Sequence, residues 1–370
     1  MNSYQKALEE RKEQHLLRQL PLLPEGIDFY SNDYLGLAKS EALRIQIEIE
    51  LRKAPSDNGS GGSRLLSGNS AYAERVENQA AAFHNAEAAL IYPSGYTANL
   101  GLISCLSTRG TTLVMDELVH ASLIDGARLG QSEKVRFRHN DVNDLESQLK
   151  KLNDQKVVIV ESVYSMDGDI CPLREVVEIC QKNKAMIIVD EAHSMGIFGH
   201  HGSGLVQELG LEDKIMARIM TYGKAPGIHG AAVVGPEWLK DYQTNFSRSL
   251  IFSTAPAPHQ FADISGMYSC LPKADKKRDQ LKEIVRCFIR KRNKHEGEWL
   301  PSNSHIQSLI IPGNAEVVRV ANKLMEAGIN VLPIRRPSVP KGKERIRFCL
   351  HAYNTKEEID LLFNVLKNFK

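Results

Sequence analysis

Two apolar runs in this sequence end in residues that can do proton and carbonyl chemistry. Met186, Ile187, Ile188 and Val189 lead into Asp190, with Glu191 and His193 close behind, in VDEAHSMGIFG. Ile219, Met220, Thr221 and Tyr222 lead through Gly223 into Lys224, in TYGKAPGIHGAAVVG. Taken singly, each has a bland explanation: a strand-end aspartate often caps a turn, and a lysine in a glycine-rich loop often points into water. Taken together they are a pair delivered by successive strands. A lysine held at a strand end loses hydration, which lowers its pKa and makes the amine a nucleophile toward carbonyls. Asp190 supplies a fixed acid, and His193 an imidazole within reach of the same spot.

The elements needed to bring these residues together are visible in the pattern. Short apolar runs at 89–92, 112–115, 157–160, 186–189, 219–222 and 231–234 alternate with helical stretches. That alternation predicts a mostly parallel α/β sheet covered by helices on both faces, with ligands beyond the carboxyl ends of the strands. Ahead of it, residues 1–20 place leucines among charges at helical spacing, and Pro21 and Pro24 are expected to end that helix. DFYSNDYLGLA reads as a short strand and turn, and Ser40 as the cap of a helix over 40–54. SDNGSGGSRLLSGNS is a Gly/Ser loop that opens into a helix. After Pro258 a charged helix leads into a smaller αβ unit, with strands at 306–311, 329–334 and 345–350 and helices at 315–327 and 355–369. The expected division is an N-terminal helix and strand over 1–40, a large domain over 41–258 and a small αβ domain over 259–370.

Composition narrows the function classes. The chain has 370 residues, 42% hydrophobic and 25% charged, with a formal net charge of +2. These are ordinary values for a globular protein, and the small charge gives no case for bulk attraction to nucleic acid or membrane. No run approaches the ~20 apolar residues of a membrane span. The charged N-terminus lacks the apolar stretch of a secretory signal. Cys105, Cys171, Cys180, Cys270, Cys287 and Cys349 form no CxxC pair and have no matching histidine spacing. Reduced thiols in a cytoplasmic protein are expected, with no metal site. GSGGSRLLSG lacks the strand–turn–helix setting of a dinucleotide fingerprint, so a nicotinamide dehydrogenase is disfavoured.

One cofactor uses a lysine and an acid together. Pyridoxal phosphate needs a lysine for its Schiff base and an acid against its pyridine nitrogen. The ordered set SNDYLGLA, GSGGSRLLSG, PSGYTAN, DELVHASLIDGARLG, ESVYSMDGDICPL, VDEAHSMGIFG, TYGKAPGIHGAAVVG and RPSVPKGKERIRF resembles the α-oxoamine synthases. The resemblance runs in order from near residue 4 to the end of the chain. It implies a fold-type I pyridoxal-phosphate transferase, with a large helix-covered sheet domain and a small C-terminal αβ domain. It also implies decarboxylative condensation of an amino acid with an acyl-CoA or acyl carrier protein.

The resemblance assigns roles to residues. Lys224 would hold the cofactor and then remove the substrate's α-proton, and Asp190 would pair with the ring nitrogen. His120 would stack on the ring, with His193 and Ser165 near its phenolic oxygen. Gly95 and Tyr96, at a helix start, would cradle the phosphate, with a hydroxyl from Thr221. Ser253 and Thr254, in FSTAPAP, would complete that site in a second copy, which implies a homodimer. Arg347 would grip the substrate carboxylate through its planar fork, in preference to Arg345 on the same strand face. Asn32, Ser338 and Arg18 would lie on the substrate side, Arg18 toward the far end of the acyl chain. Pro226, Ile228 and His229 depart from the small residues that relatives carry after the lysine, which bears on amino-acid choice. A cofactor-fold regulatory protein with a dead site is the rival from another class. Joint retention of Lys224, Asp190, His120, His193 and Arg347 argues against it.

Overall fold

The computed structural model describes residues 2–20, 22 and 24–367. Pro21 and Phe369, two of the expected helix-end positions, lie outside the described residues. The chain forms two compact units. Leu35–Tyr164 and Ile170–Lys276 make the larger one; the residues up to Tyr34, Ser165–Asp169, and the chain from Lys277 on make the smaller.

The larger unit is built on a seven-stranded sheet. Its order is Ala88–Tyr92, Ala231–Gly235, Ala217–Thr221, Ala185–Asp190, Gln155–Glu161, Thr111–Asp116 and Glu133–Phe137. Ala231–Gly235 runs antiparallel to both its neighbours, and the remaining pairings are parallel. The central strands are apolar on both faces because helices cover both: Val157, Val158, Ile159 and Val160 are all fully buried. Each such side chain contributes roughly 1.5–3 kcal/mol by leaving water, so the strand ends that carry the chemistry are anchored in a rigid core. The edge strand Glu133–Phe137 is not evident in the sequence. Its residues EKVRF are mostly exposed, so no apolar run marks it.

Helix starts follow local capping chemistry. The Ser40 hydroxyl accepts the Leu43 N–H ahead of Glu41–Leu51. The Ser94 hydroxyl accepts the Thr97 N–H ahead of Gly95–Leu106, and Thr97 returns the bond by accepting the Ser94 N–H. Gly95–Leu106 and Ala121–Leu129 approach closely at Gly126. A Cβ there would sit 2.9 Å from Ile103 Cβ and 3.2 Å from the Asn99 carbonyl. Glycine at that point brings Asn99 on one helix to Ser122 on the other.

The smaller unit carries an antiparallel three-stranded sheet in the order Pro333–Ile334, Arg345–Cys349, Ile306–Ile310. Ile27–Asp28 pairs in parallel with Ile329–Asn330. The strand expected over 329–334 is therefore two short pieces that belong to different sheets, with Pro333 starting the second. The first helix is shorter than its leucine spacing suggests, ending at Glu13. His15 turns left-handed at φ 55°, and the Leu16 N–H reaches back to the Arg11 carbonyl, closing the helix in a Schellman-type end.

Candidate active site

The carboxyl ends of the central strands gather polar residues in the larger unit. Asp190 and Glu161 are register partners at the ends of adjacent strands, and both are buried. Asp190 Oδ1 accepts the Ala192 N–H at 2.9 Å, and Oδ2 accepts the Asn99 side-chain amide at 2.8 Å. The carboxylate is thus fixed in place from two sides. Glu191 behind it points away. It accepts the Val206 N–H at 2.7 Å and the Ser194 hydroxyl at 2.9 Å, and burial pushes its pKa up to about 7 against the pull of Arg218. Its role is to tie the turn after Asp190 to the following helix.

Lys224 sits on a loop closed on itself. Tyr222 N–H bonds to the Gly230 carbonyl, Ile228 N–H to Tyr222, and Gly227 N–H to Lys224. Gly227 is left-handed at φ 75°, and a Cβ on it would come within 2.4 Å of the Ala38 nitrogen, so only glycine fits. Pro226 is buried, with its Cδ near Gly196 of the VDEAHSMGIFG turn, whereas His229 is exposed. The half-buried Lys224 amine lies 2.7 Å from His193 Nε2. The structure therefore joins two of the residues singled out from the sequence.

His120 precedes the helix Ala121–Leu129. Its backbone N–H donates to Glu161 Oε1 at 2.6 Å, and its ring Nδ1 lies 2.7 Å from the Ser122 hydroxyl. The surrounding protein lowers the imidazole pKa, Asp190 pulls it up and Lys224 lowers it; the net is downward although the residue is exposed. A ring pinned along one edge and open to solvent suits a flat aromatic ligand. Burial, with Asp190 adding to it, raises the Glu161 pKa to about 8, while Lys224 and the His120 N–H oppose the rise. Glu161 was not singled out from the sequence. The available signal was its place at the end of the 157–160 run, matching that of Asp190.

The residues fit the phosphate end of pyridoxal phosphate as well. Gly95 and Tyr96 open a twelve-residue helix, where backbone N–H groups lack intrahelical partners and bind anions. Thr221 packs directly against Gly95: a Cβ there would meet Thr221 Oγ1 at 2.4 Å. A lysine amine and a fixed carboxylate in the same unit are the pair this cofactor uses, and the glycine and hydroxyl at the helix start suit its phosphate. Ser253 and Thr254 follow the short helix Arg248–Ile251. The adjoining Ala255 is tied to the Gly/Ser loop through the Gly62 carbonyl and the Ser60 hydroxyl. That loop is itself held by Arg64 on the buried Glu77, at 2.7 Å.

In the smaller unit the remaining candidates fall into two groups. Arg347 donates to the Ser165 carbonyl at 2.9 Å and to Asn32 Oδ1 at 3.2 Å, bringing three expected residues together. Arg345, on the same strand face, is bonded to the Asp167 carboxylate at 2.5 Å. Among the described residues Arg347 has no such carboxylate partner. Arg18 donates to the Ser338 hydroxyl at 3.1 Å, joining the two residues expected near the acyl chain. Arg335, which donates to the His15 carbonyl, lies close enough for the Arg18 charge to add to burial in lowering its pKa.

Comparison with known proteins agrees with this picture. A family model described as aminotransferase class I and II matches residues 24–366, and the chain belongs to that family. It is 40% identical over 389 residues to the 8-amino-7-oxononanoate synthase of Emericella nidulans, covering 99% of this chain and 94% of that one. A solved 8-amino-7-oxononanoate synthase from Francisella tularensis superposes with a TM-score of 0.79 at 28% identity, over 93% of this chain and 97% of that one. Serine palmitoyltransferase from S. paucimobilis, solved with bound PLP, superposes with a TM-score of 0.90 at 28% identity, over 99% and 96%. The fold is the fold-type I arrangement expected from the sequence.

Proposed function

We propose that the chain is a pyridoxal-phosphate-dependent acyltransferase that condenses alanine with a pimeloyl thioester to give 8-amino-7-oxononanoate, a biotin precursor. The observation that carries this reading is the Lys224–His193 contact, in the unit that also holds the fixed Asp190 carboxylate. It stands in a chain matched end to end by relatives of that activity.

When bound, the cofactor supplies an aldehyde for an amino group and a protonated ring that draws electrons from the substrate's α-carbon. Asp190 holds the proton on the ring nitrogen. Lys224 would hold the cofactor by its aldehyde, and with alanine bound its amine would take the α-proton and later return one. His120 would cover one ring face, and the family resemblance assigns His193 and Ser165 to the phenolic oxygen. Gly95, Tyr96 and Thr221 bind the phosphate. Arg347 binds alanine's carboxylate, with Asn32 beside it. The new bond joins alanine's α-carbon to the acyl carbonyl carbon. The thiolate leaves and takes a proton from solvent, and the carboxylate leaves as CO2, its place on the α-carbon taken by the proton that Lys224 returns. Arg18 and Ser338 receive the far end of the acyl chain.

The protein acts as a homodimer in which Ser253 and Thr254 of one copy complete the phosphate site of the other. It acts in the cytoplasm, a reading supported by the absence of any disulfide among its six cysteines. The serine palmitoyltransferase likeness supports a second reading, in which serine replaces alanine. A glycine C-acetyltransferase is a further member of the same class. Titration of purified protein with pyridoxal phosphate, followed by visible absorbance, tests the cofactor assignment. Wild type is expected to show a bound-cofactor band that Lys224→Ala lacks; a protein with no such band is not this enzyme.

A further inference from the structure

Asn99 is buried on the helix Gly95–Leu106, and its side-chain amide touches two groups at once. Nδ2 lies 2.8 Å from Asp190 Oδ2 and 3.0 Å from Ser122 Oγ. Its carbonyl oxygen is buried with no hydrogen-bond partner among the described residues. A buried unpaired acceptor is costly, and a flipped amide would offer that oxygen to the Ser122 hydroxyl. The flip would also turn an acceptor onto the Asp190 carboxylate, so the carboxylate fixes which way the amide points.

The consequences run on to His120. Ser122 Oγ accepts from Asn99, so the serine's own hydrogen is left to point at His120 Nδ1, 2.7 Å away. The Ser122 backbone N–H also faces Nδ1 at 3.3 Å, and a backbone N–H can only donate. Nδ1 thus meets two donors and must itself accept. In the neutral ring the proton is then on Nε2.

We propose that Asn99 and Ser122 are positioning residues forming an amide–hydroxyl relay, which orients the Asp190 carboxylate and locks His120 in its Nε2–H tautomer. The relay sets both protein groups that face the cofactor ring, the acid at its nitrogen and the imidazole on its face. This rests on the cofactor reading of the site, but the relay itself is a property of the protein alone. Its state is readable without the cofactor.

The test uses the full chain with 15N-labelled histidine, with and without pyridoxal phosphate; the His120 resonances are assigned by their loss in His120→Gln. In wild type at high pH the Nδ1 shift is expected in the unprotonated range and Nε2 in the protonated range. Ser122→Ala, which removes only the hydroxyl, is expected to move Nδ1 toward a tautomer average and to raise the pH at which the ring titrates. Its pyridoxal-phosphate affinity should stay within about threefold, because the Asn99–Asp190 arm remains. Asn99→Leu keeps the volume and removes both arms, and is expected to weaken pyridoxal-phosphate affinity about tenfold, the scale seen when a residue behind a ligating group is lost. A wild-type ring protonated at Nδ1 overturns the proposal, as does a Ser122→Ala spectrum identical to wild type. Should Asn99→Leu not fold, the Ser122→Ala shifts decide alone. Failure of wild type to bind pyridoxal phosphate overturns the cofactor reading instead and leaves the apo-protein shifts to judge the relay.

Discussion

Replacing Gly95 with alanine isolates the phosphate cradle from the rest of the site. The backbone there is right-handed and sits at the first helical position, so alanine is conformationally allowed and favours the helix by up to about 1 kcal/mol. The obstacle is steric. The new Cβ would meet Thr221 Oγ1 at 2.4 Å, Cγ2 at 3.0 Å and Cβ at 3.3 Å. Thr221 must turn or retreat, and its hydroxyl leaves the place where it would meet a phosphate oxygen. A hydrogen bond to a charged group is worth roughly 1.5–3 kcal/mol, so pyridoxal-phosphate affinity should fall about ten- to hundredfold. The melting temperature of the apo-protein should move little, because the helix gain offsets part of the strain. Titration of apo-protein followed by visible absorbance reads the affinity. In the Thr221→Ala background the further effect of Gly95→Ala should shrink to less than about threefold, since the group it displaces is already gone. Wild-type affinity in Gly95→Ala would refute the placement of the phosphate against Gly95 and Thr221.

Other perturbations separate the remaining roles. Asp190→Asn should still bind pyridoxal phosphate through Lys224 yet slow exchange of alanine's α-proton, followed by NMR in D2O, by about a hundredfold or more; exchange at the wild-type rate would remove Asp190 from the ring nitrogen. Arg347→Lys loses the bidentate fork. It should raise KM for the amino acid about tenfold with kcat nearly unchanged, whereas Arg345→Lys, whose partner is Asp167, should leave KM unchanged. His84 is fully buried between the Ser203 carbonyl and the Tyr268 hydroxyl, and burial holds its pKa down at about 3 against an ordinary 6.5. The unfolded chain therefore binds the extra proton first. This group's contribution to stability is complete above 6.5 and is lost as pH falls from there toward 3. Denaturation of His84→Gln across that range should show a shallower acid slope than wild type.

The sequence carried the strand ends well because a strand buried on both faces is a largely apolar run, and the first charged residue after it is conspicuous. Asp190 and Lys224 stood out for that reason, and Glu161 obeys the same rule. Resemblance supplied what periodicity could not, the roles expected of His120, Ser165 and Arg347, whereas the Arg18–Ser338 hydrogen bond joins positions 320 apart and was legible in neither. Asn99 and Ser122 were illegible because each is an ordinary polar residue in a helix until Gly126 lets the two helices meet. The strand Glu133–Phe137 escaped notice because an exposed edge needs no apolar pattern. Ser165–Asp169 joins the smaller unit with no change of composition at either end. Its attachment depends on contacts such as the Ser302 and Ser304 hydroxyls on the Gly168 carbonyl.

Mass spectrometry of the product reads the reaction itself. Purified protein loaded with pyridoxal phosphate is incubated with pimeloyl-CoA and, in separate reactions, alanine, glycine or serine. The expected result is 8-amino-7-oxononanoate from alanine, one CO2 per free CoA released, and no product from Lys224→Ala. Turnover of glycine with acetyl-CoA, or of serine with a long-chain acyl-CoA, without any product from alanine and pimeloyl-CoA, would contradict it.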